Sequence, residues 1–280
     1  MITRALKAHT PFSMLLMGLL ILNTVVVLAP LGVAVISAFK TTGEIMASPF
    51  ALPSAWAFDN FVKVWSAGRF DRYILNSIIV TLGAEIIILV TSAMAGYALG
   101  RFKFRFHGAI YTLILMGLMV PAKLLLVPLF IQLKAMGLLN SQFGLILVYA
   151  AGGIPAGVFI MTGFFRALPD ALEGAARIDG AGEWTIFSRI MLPLVRPQLA
   201  IVAIYTAIPI WNDFLFPMVF LSSPELKTIP QGLSVFFGEH AVDMGALFAG
   251  LTLAALPLVL VYLLLSEQFI KGLTAGAVKG

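Results

Sequence analysis

Eight charged side chains lie between Arg166 and Arg196: Arg166, Asp170, Glu173, Arg177, Asp179, Glu183, Arg189 and Arg196. They stand in a chain that is 60% hydrophobic and 11% charged, so this run must meet water or a partner. Pro169 suits the first turn of a helix, where its missing N–H costs nothing. Asp170 and Glu173 then fall near the helix N-terminus and favour its dipole. Ala175 and Ala176 leave a small surface that another molecule can approach closely. Gly180 and Gly182 stop the helix. A second piece follows, with Trp184, Phe187, Ile190 and Met191 at helical spacing and Arg189 off that stripe. Pro193 and Pro197 mark the entry to the next apolar run. The pattern is a helix–turn–helix with two readings: a solvated loop with interfacial helices, or a docking element that fits a partner's groove.

A second group of residues interrupts the apolar runs themselves. An ionisable side chain inside a membrane span costs about 2.5–3.5 kcal/mol, so each needs a partner or a wet surface. Glu85 falls about 16 Å into its run and Asp213 about 21 Å into its own, at 1.5 Å per residue. Lys123 sits next to Pro121 at a depth similar to Asp213, which allows a Lys123–Asp213 pair. Asn212 and Asp213 suit hydrogen bonding to hydroxyl groups, and Trp211 offers a flat apolar face. The structural alternatives are an interhelical bond for Glu85, a structural role for Asp213 and an interfacial aromatic belt for Trp211.

Much chemistry is excluded. The chain has no cysteine, which removes disulfides, thiolate metal sites and thiol catalysis. His9, His107 and His240 are scattered, and no catalytic or metal-ligating cluster emerges. The phosphate-cradling G-x-x-x-x-G-K-[ST] pattern does not occur. The net charge of +5 and pI near 9.6 come from Lys and Arg flanking apolar runs, so topology explains them and nucleic acid does not.

These residues need elements to hold them. Soluble domains carry about 25% charged residues, well above this chain. With a mean hydropathy of +1.01, the 280 residues read as a polytopic membrane protein in a lipid bilayer. Six stretches reach the roughly 20 apolar residues that a span needs: Phe12–Phe39, Tyr73–Leu99, Ala109–Ile131, Phe143–Phe165, Leu199–Leu221 and Ala246–Leu265. The first follows Arg4 and Lys7 but is too long for a signal peptide, and five more spans follow it. The expectation is an all-α fold with six transmembrane helices and a single domain over 1–280. Prolines within the spans, Pro128, Pro155, Pro209, Pro217 and Pro257, are candidate kinks.

Orientation follows the basic residues. One side carries Arg4, Lys7, Arg101, Lys103, Arg105, Arg166, Arg177, Arg189, Arg196, Lys271 and Lys279; the other carries Lys40, Lys63, Arg69, Arg72, Lys123, Lys134 and Lys227. The short loop Gly100–Gly108 has three basic residues and no acid, and the positive-inside rule weights such loops most. Both termini and the polar run are therefore expected in the cytoplasm. Of the outer segments, Lys40–Arg72 is expected to hold turns and then a short amphipathic helix from Asp59.

The polar run resembles the EAA loop of ABC-transporter permeases. Ala175 and Ala176 match the family's two alanines, Gly180 its glycine, and Ile190, Leu192 and Pro193 its tail. "ARIDGA" followed by Trp184 and Phe187 is similar to the carbohydrate-permease version. Gly174 stands where the family glutamate belongs, and Glu173 is displaced by one residue. The segments at 120–147, 211–221 and 272–280 also resemble the family, the last of these the maltose-type second permease subunit. The resemblance implies a type I ABC importer permease in a bacterial inner membrane. It implies a second permease forming a heterodimer, a cytoplasmic ATPase dimer and an extracytoplasmic solute-binding protein that delivers a carbohydrate or related polyol. ATP and Mg would be bound by the ATPases, and this chain would hold no cofactor and catalyse no hydrolysis. The coupling residues it implies are Glu173, Gly174, Ala175, Ala176, Asp179, Gly180, Ala181, Trp184 and Phe187. Candidates for the solute path are Trp211, Asn212, Asp213, Glu85 and Lys123.

Overall fold

The structure, a computed structural model, describes residues 11–56, 58–66, 69–236 and 242–277, with side chains described as far as Leu263 apart from Pro11 and Val235. Arg4, Lys7, His9, His240 and residues 278–280 lie outside the described residues, and the side chain of Lys271 is likewise not described. Apart from a single bridge residue at Val242, every regular element among the described residues is helical. In chain order they are α1 (Pro11–Ser37), α2 (Thr42–Ala47), α3 (Asp59–Ser66), α4 (Phe70–Arg101), α5 (His107–Met116), α6 (Leu126–Ala135), α7 (Gln142–Ala167) and α8 (Ala171–Ile178). There follow α9 (Glu183–Leu194), α10 (Arg196–Asn212), α11 (Leu215–Phe220), α12 (Ile229–Leu233) and α13 (Met244–Ala277).

Among the described residues, four helices are long and apolar enough to cross a membrane, or up to six if each of two bent pairs forms one span. Two of the expected spans, the third and the fifth, are interrupted. The third expected span breaks between Met119 and Ala122, and its halves lie at 87°. Val120 and Pro121 are both extended at the break, as the residue before a proline prefers to be. The helix α9–α10 bends by 72° at Val195, between Pro193 and Pro197. The fifth expected span also stops at Asn212 and resumes at Leu215. By contrast, Pro155, Pro209 and Pro257 lie inside uninterrupted helices.

The chain divides into two compact units. The first comprises 1–70 and 233–255. In it, Thr41 and Glu44 form a capping box on α2, a pattern legible as T-x-x-E. Hydrogen bonds from the Ser54 hydroxyl and from the Thr41 and Ser54 amides pull the Glu44 carboxyl down to about 2. Lys40 is fully buried, and its Nζ donates to the carbonyls of Ser48 and Pro49 at 3.0 and 3.1 Å. The expected amphipathic helix is α3, with Asn60 and Val64 turned inward.

The second unit comprises 71–232 and 256–280 and contains the polar loop. Its centre is the packing of α4 on α7. A Cβ on Gly153 would meet Ile88, on Gly157 Ser92, on Gly96 Met161 and on Gly100 Phe165. Each pair is separated by 65 positions, so the two helices run parallel in register for more than three turns. The glycines at 96 and 100, and at 153 and 157, are i,i+4 neighbours that let backbones approach closely, as in small-xxx-small membrane packing. Around this seam lie Ala84, Ile88, Ala93, Leu145, Val158, Met161, Phe165 and Val202, all buried.

Candidate functional site

The polar loop begins where α7 ends. Three residues, Leu168–Asp170, separate α7 from α8, and α8 turns Glu173 and Ala176 inward. Its C-terminus closes as a Schellman motif: Ala181 N–H donates to Ala176 O at 2.9 Å and Gly180 N–H to Arg177 O at 3.1 Å. Gly180 takes φ +80° there, a conformation that favours glycine. In α9, residues Ile186–Met191 form a π-helical segment. Its wider i→i+5 turns place Ile186 and Met191 on one buried side with Phe187, leaving Trp184 outside. This corrects the expected stripe of Trp184, Phe187, Ile190 and Met191, which assumed ordinary helical spacing.

The nine loop residues singled out by sequence thus fall into two sets. Ala175, Asp179, Gly180 and Trp184 are exposed, with Gly174 and Ala181 half-buried. Glu173, Ala176 and Phe187 are buried. Ile178, 88% exposed, and Leu172 extend the outward face with Trp184, which is 67% exposed. Phe187 packs on Tyr97 with ring centroids 5.1 Å apart and on Trp184 at 5.5 Å. Met94, Tyr97, Phe102, Glu183, Trp184 and Phe187 line an open recess of about 200 Å³. A Cβ at Gly174 would meet nothing within 4 Å, so a side chain there would project freely.

Beneath the outward face runs a chain of ion pairs that sequence reasoning missed. Arg101, the last residue of α4, has a side chain only 5% exposed. Its Nε donates to Glu173 Oε1 at 2.8 Å and its Nη2 to Asp170 Oδ1 at 2.7 Å. Its Nη1 donates to the carbonyls of Leu168 at 2.9 Å and Phe165 at 3.4 Å. Arg177 lies 3.4 Å from Glu173 Oε2 and grips both oxygens of Glu183 at 2.8 and 3.1 Å across the Gly180 turn. That bidentate bond holds the Glu183 carboxyl below its ordinary range and pushes the Arg177 guanidinium up. The displaced Glu173 therefore faces inward, to Arg101. The signal that could have found Arg101 is its place directly after "GYALG" at 96–100, a small-xxx-small pair ending in a basic residue.

The path candidates separate in a similar way. Glu85 is buried on α4, with Oε1 2.6 Å from Thr206 Oγ1 on α10; its Oε2 has no partner among the described residues. Asp213 accepts from the Tyr149 hydroxyl at 2.8 Å and from the amides of Leu215 and Phe216 at 3.2 and 3.3 Å. It therefore caps α11 across the break after α10 and ties both to α7. Trp211 is buried and shows no open face. Asn212 is exposed, its Nδ2 donating to Ile208 O at 2.9 Å. Lys123 is exposed on the short turn after Pro121, and no ion pair joins it to Asp213. Among the described residues, no group of His, Asp and Glu is placed to hold a metal ion.

Up to six apolar spans among the described residues, two of them bent, with a braced polar helix–turn–helix after the fourth, define a polytopic membrane protein. The chain belongs to the family described as binding-protein-dependent transport system inner membrane component, whose profile matches residues 92–274. It is 39% identical to the diacetylchitobiose uptake system permease protein NgcG of Streptomyces coelicolor, over 97% of this chain and 91% of that one. It is 34% identical to the maltodextrin transport system permease protein MdxG of Bacillus subtilis, over 93% and 94% of the two chains. The fold matches that of a bacterial ABC transporter involved in the import of the acidic polysaccharide alginate, with TM-score 0.78 and 23% identity over 92% of this chain and 96% of that one. The chain is thus a multi-pass membrane component of a transport system that works with a solute-binding protein, and not an enzyme.

Proposed function

We propose that this chain is one of two transmembrane subunits of an ATP-driven importer for a carbohydrate or a related polyol or glycoside. Its α8–α9 loop, within 169–189, seats in a cleft of a cytoplasmic ATPase, which binds the ATP and Mg. Closure of the ATPase dimer then biases the permease pair between inward-open and outward-open states. Both termini are cytoplasmic in this reading. The carbohydrate assignment is supported by the sugars named in the two relatives above. One observation carries the docking assignment: Leu172, Ile178 and Trp184 are apolar yet exposed on a helix–turn–helix whose other side is locked by buried ion pairs. An apolar patch on a rigid polar element marks an interaction surface.

Along the solute path, Asn212 and Lys123 are the candidates with exposed groups, each at a helix break, and they are proposed as solute contacts. Glu85, Trp211 and Asp213 are proposed to shape the path from behind. Co-purification tests the docking surface. The wild-type chain is expected to retain an ATPase subunit, and Ile178→Asp with Trp184→Ala to lose at least tenfold of it. ATPase retention and sugar uptake at wild-type level in that variant would sink the reading.

A further inference from the structure

The guanidinium of Arg101 uses all three of its nitrogens and joins three pieces of chain. It is the end of α4, it takes the carbonyls of Phe165 and Leu168 where α7 ends, and it grips Asp170 and Glu173 at the start of α8. Carbonyls at a helix C-terminus lack partners in the helix and favour a cation. We infer that Arg101 is the positioning residue that carries movement of α8 to the ends of α4 and α7 together. The inference rests on the docking reading of the loop.

Three observations carry it. First, the corner that Arg101 occupies is rigid. A Cβ on Gly100 would stand 2.9 Å from Phe165 Cβ, so α4 and α7 touch nearly backbone to backbone there. Arg166 returns the link, its Nη2 donating to Leu99 O at 3.2 Å. Second, the backbone bonds that close the Leu168–Asp170 joint are local to 165–174: Leu168 N–H to Phe165 O, Leu172 N–H to Pro169 O and Gly174 N–H to Asp170 O. These three do not reach α4, whereas Arg101 belongs to it. Third, the Arg101–Glu173 pair is buried on both sides, at 5% and 7% exposure, so water does not compete for it. A lysine has one nitrogen and no planar fork, so it cannot reach acceptors arranged around a guanidinium. Asp170 is 97% exposed, and its bond adds little by comparison.

The cysteine-free chain allows a test that needs no knowledge of the solute. A single reporter cysteine is introduced as Lys103→Cys, at an exposed position two residues beyond Arg101. The full complex of both permeases and the ATPases is reconstituted in liposomes, and the rate of maleimide labelling of the reporter is compared without nucleotide and with ATP plus vanadate. ATPase retention is measured in parallel. In the otherwise wild-type complex the two rates are expected to differ at least threefold. With Arg101→Lys the ratio is expected to fall to about one while the ATPase stays bound within twofold; with Asp170→Asn it is expected to stay within twofold of wild type. An unchanged ratio in Arg101→Lys overturns the inference, as does its loss in step with the ATPase, which would make Arg101 a brace of the fold only. No rate difference in the wild-type background overturns it as well. If Arg101→Lys does not fold, the isosteric Glu173→Gln takes its place: a ratio reduced at least twofold supports the inference and a wild-type ratio overturns it. Failure of the wild-type complex to hold any ATPase marks instead the failure of the docking reading.

Discussion

At the scale of single residues, two positions singled out by sequence, Gly180 in the loop and Asp213 between the spans, act for different reasons. Gly180 is needed for its backbone. The space around it is open, so a side chain meets no neighbour, but φ +80° strains any residue with a Cβ. Strain of this kind costs about 1–3 kcal/mol and is worst for β-branched residues. Gly180→Asn is therefore expected to keep uptake within about threefold, because Asn tolerates the left-handed region. Gly180→Val is expected to lose at least tenfold, the equivalent of about 1.4 kcal/mol. Equal uptake in the two variants would show that the Schellman turn does not limit the loop. Asp213 is the opposite case, held by its side chain. Its carboxylate takes the Tyr149 hydroxyl and two amides that open α11, a role for which capping losses run at about 0.5–2 kcal/mol. Asp213→Ala should lower the thermal stability of the detergent-purified chain more than Asn212→Ala, whose side chain, among the described residues, bonds within its own helix. Equal melting temperatures would return Asp213 to a role in solute contact alone.

At the scale of elements, the spans were legible because apolar length is a strong signal: α4 and α7 extend the expected Tyr73–Leu99 and Phe143–Phe165 by only one to three residues at each end. The breaks were legible only in part: Pro193 and Pro197 mark the entry to α10 around Val195, whereas Val120 and Phe214 fall inside runs long enough to read as single spans despite Lys123, Asn212 and Asp213 beside them. Proline content alone misleads as well. Pro121, Pro193 and Pro197 flank bends, while Pro155, Pro209 and Pro257 are traversed by their helices. The π segment of α9 was equally hidden, because it changes spacing without changing composition. In the loop, the turn at Gly180 was readable from residue types, because glycine after a helical run is a local signal. Arg101 was not, because an ion pair between positions 72 apart has no local pattern. The α4–α7 seam yields a sharp prediction. A Cβ on Gly96 would lie 2.6 Å from Met161 Cβ and 3.1 Å from the Met161 carbonyl carbon, which cannot move cheaply. Overpacking of this kind costs about 1–3 kcal/mol. Gly163, on α7 itself, has nothing within 4 Å of its Cβ and serves as the control. Gly96→Ala should melt well below wild type in detergent, and Gly163→Ala at or slightly above it. Equal melting of the two variants would mean that the seam yields without strain.

At the scale of the whole molecule, orientation decides what every other feature can touch. The docking reading requires the α8–α9 loop on the cytoplasmic side, and so does the balance of basic residues. The Gly100–Gly108 loop contributes Arg101, Lys103 and Arg105. Of these, Arg101 is buried in ion pairs, which leaves Lys103 and Arg105 as the exposed charges available to hold that loop inside. The absence of cysteine from the sequence again makes the test direct. Lys103, Ile178 and Lys134 are all exposed and can each be replaced singly by cysteine. In intact spheroplasts, a membrane-impermeant maleimide is expected to label Lys134→Cys and to spare Lys103→Cys and Ile178→Cys until the membrane is opened and, for Ile178→Cys, the ATPase is stripped away. The Ile178 position carries the decisive comparison, because it lies on the outward face of the loop rather than in the short basic turn. Labelling at Ile178→Cys before the membrane is opened would put the loop outside the cell, beyond reach of any ATPase. Protection at Ile178 together with labelling at Lys134 fixes the loop inside and places the turn between α6 and α7 on the solute-binding-protein side.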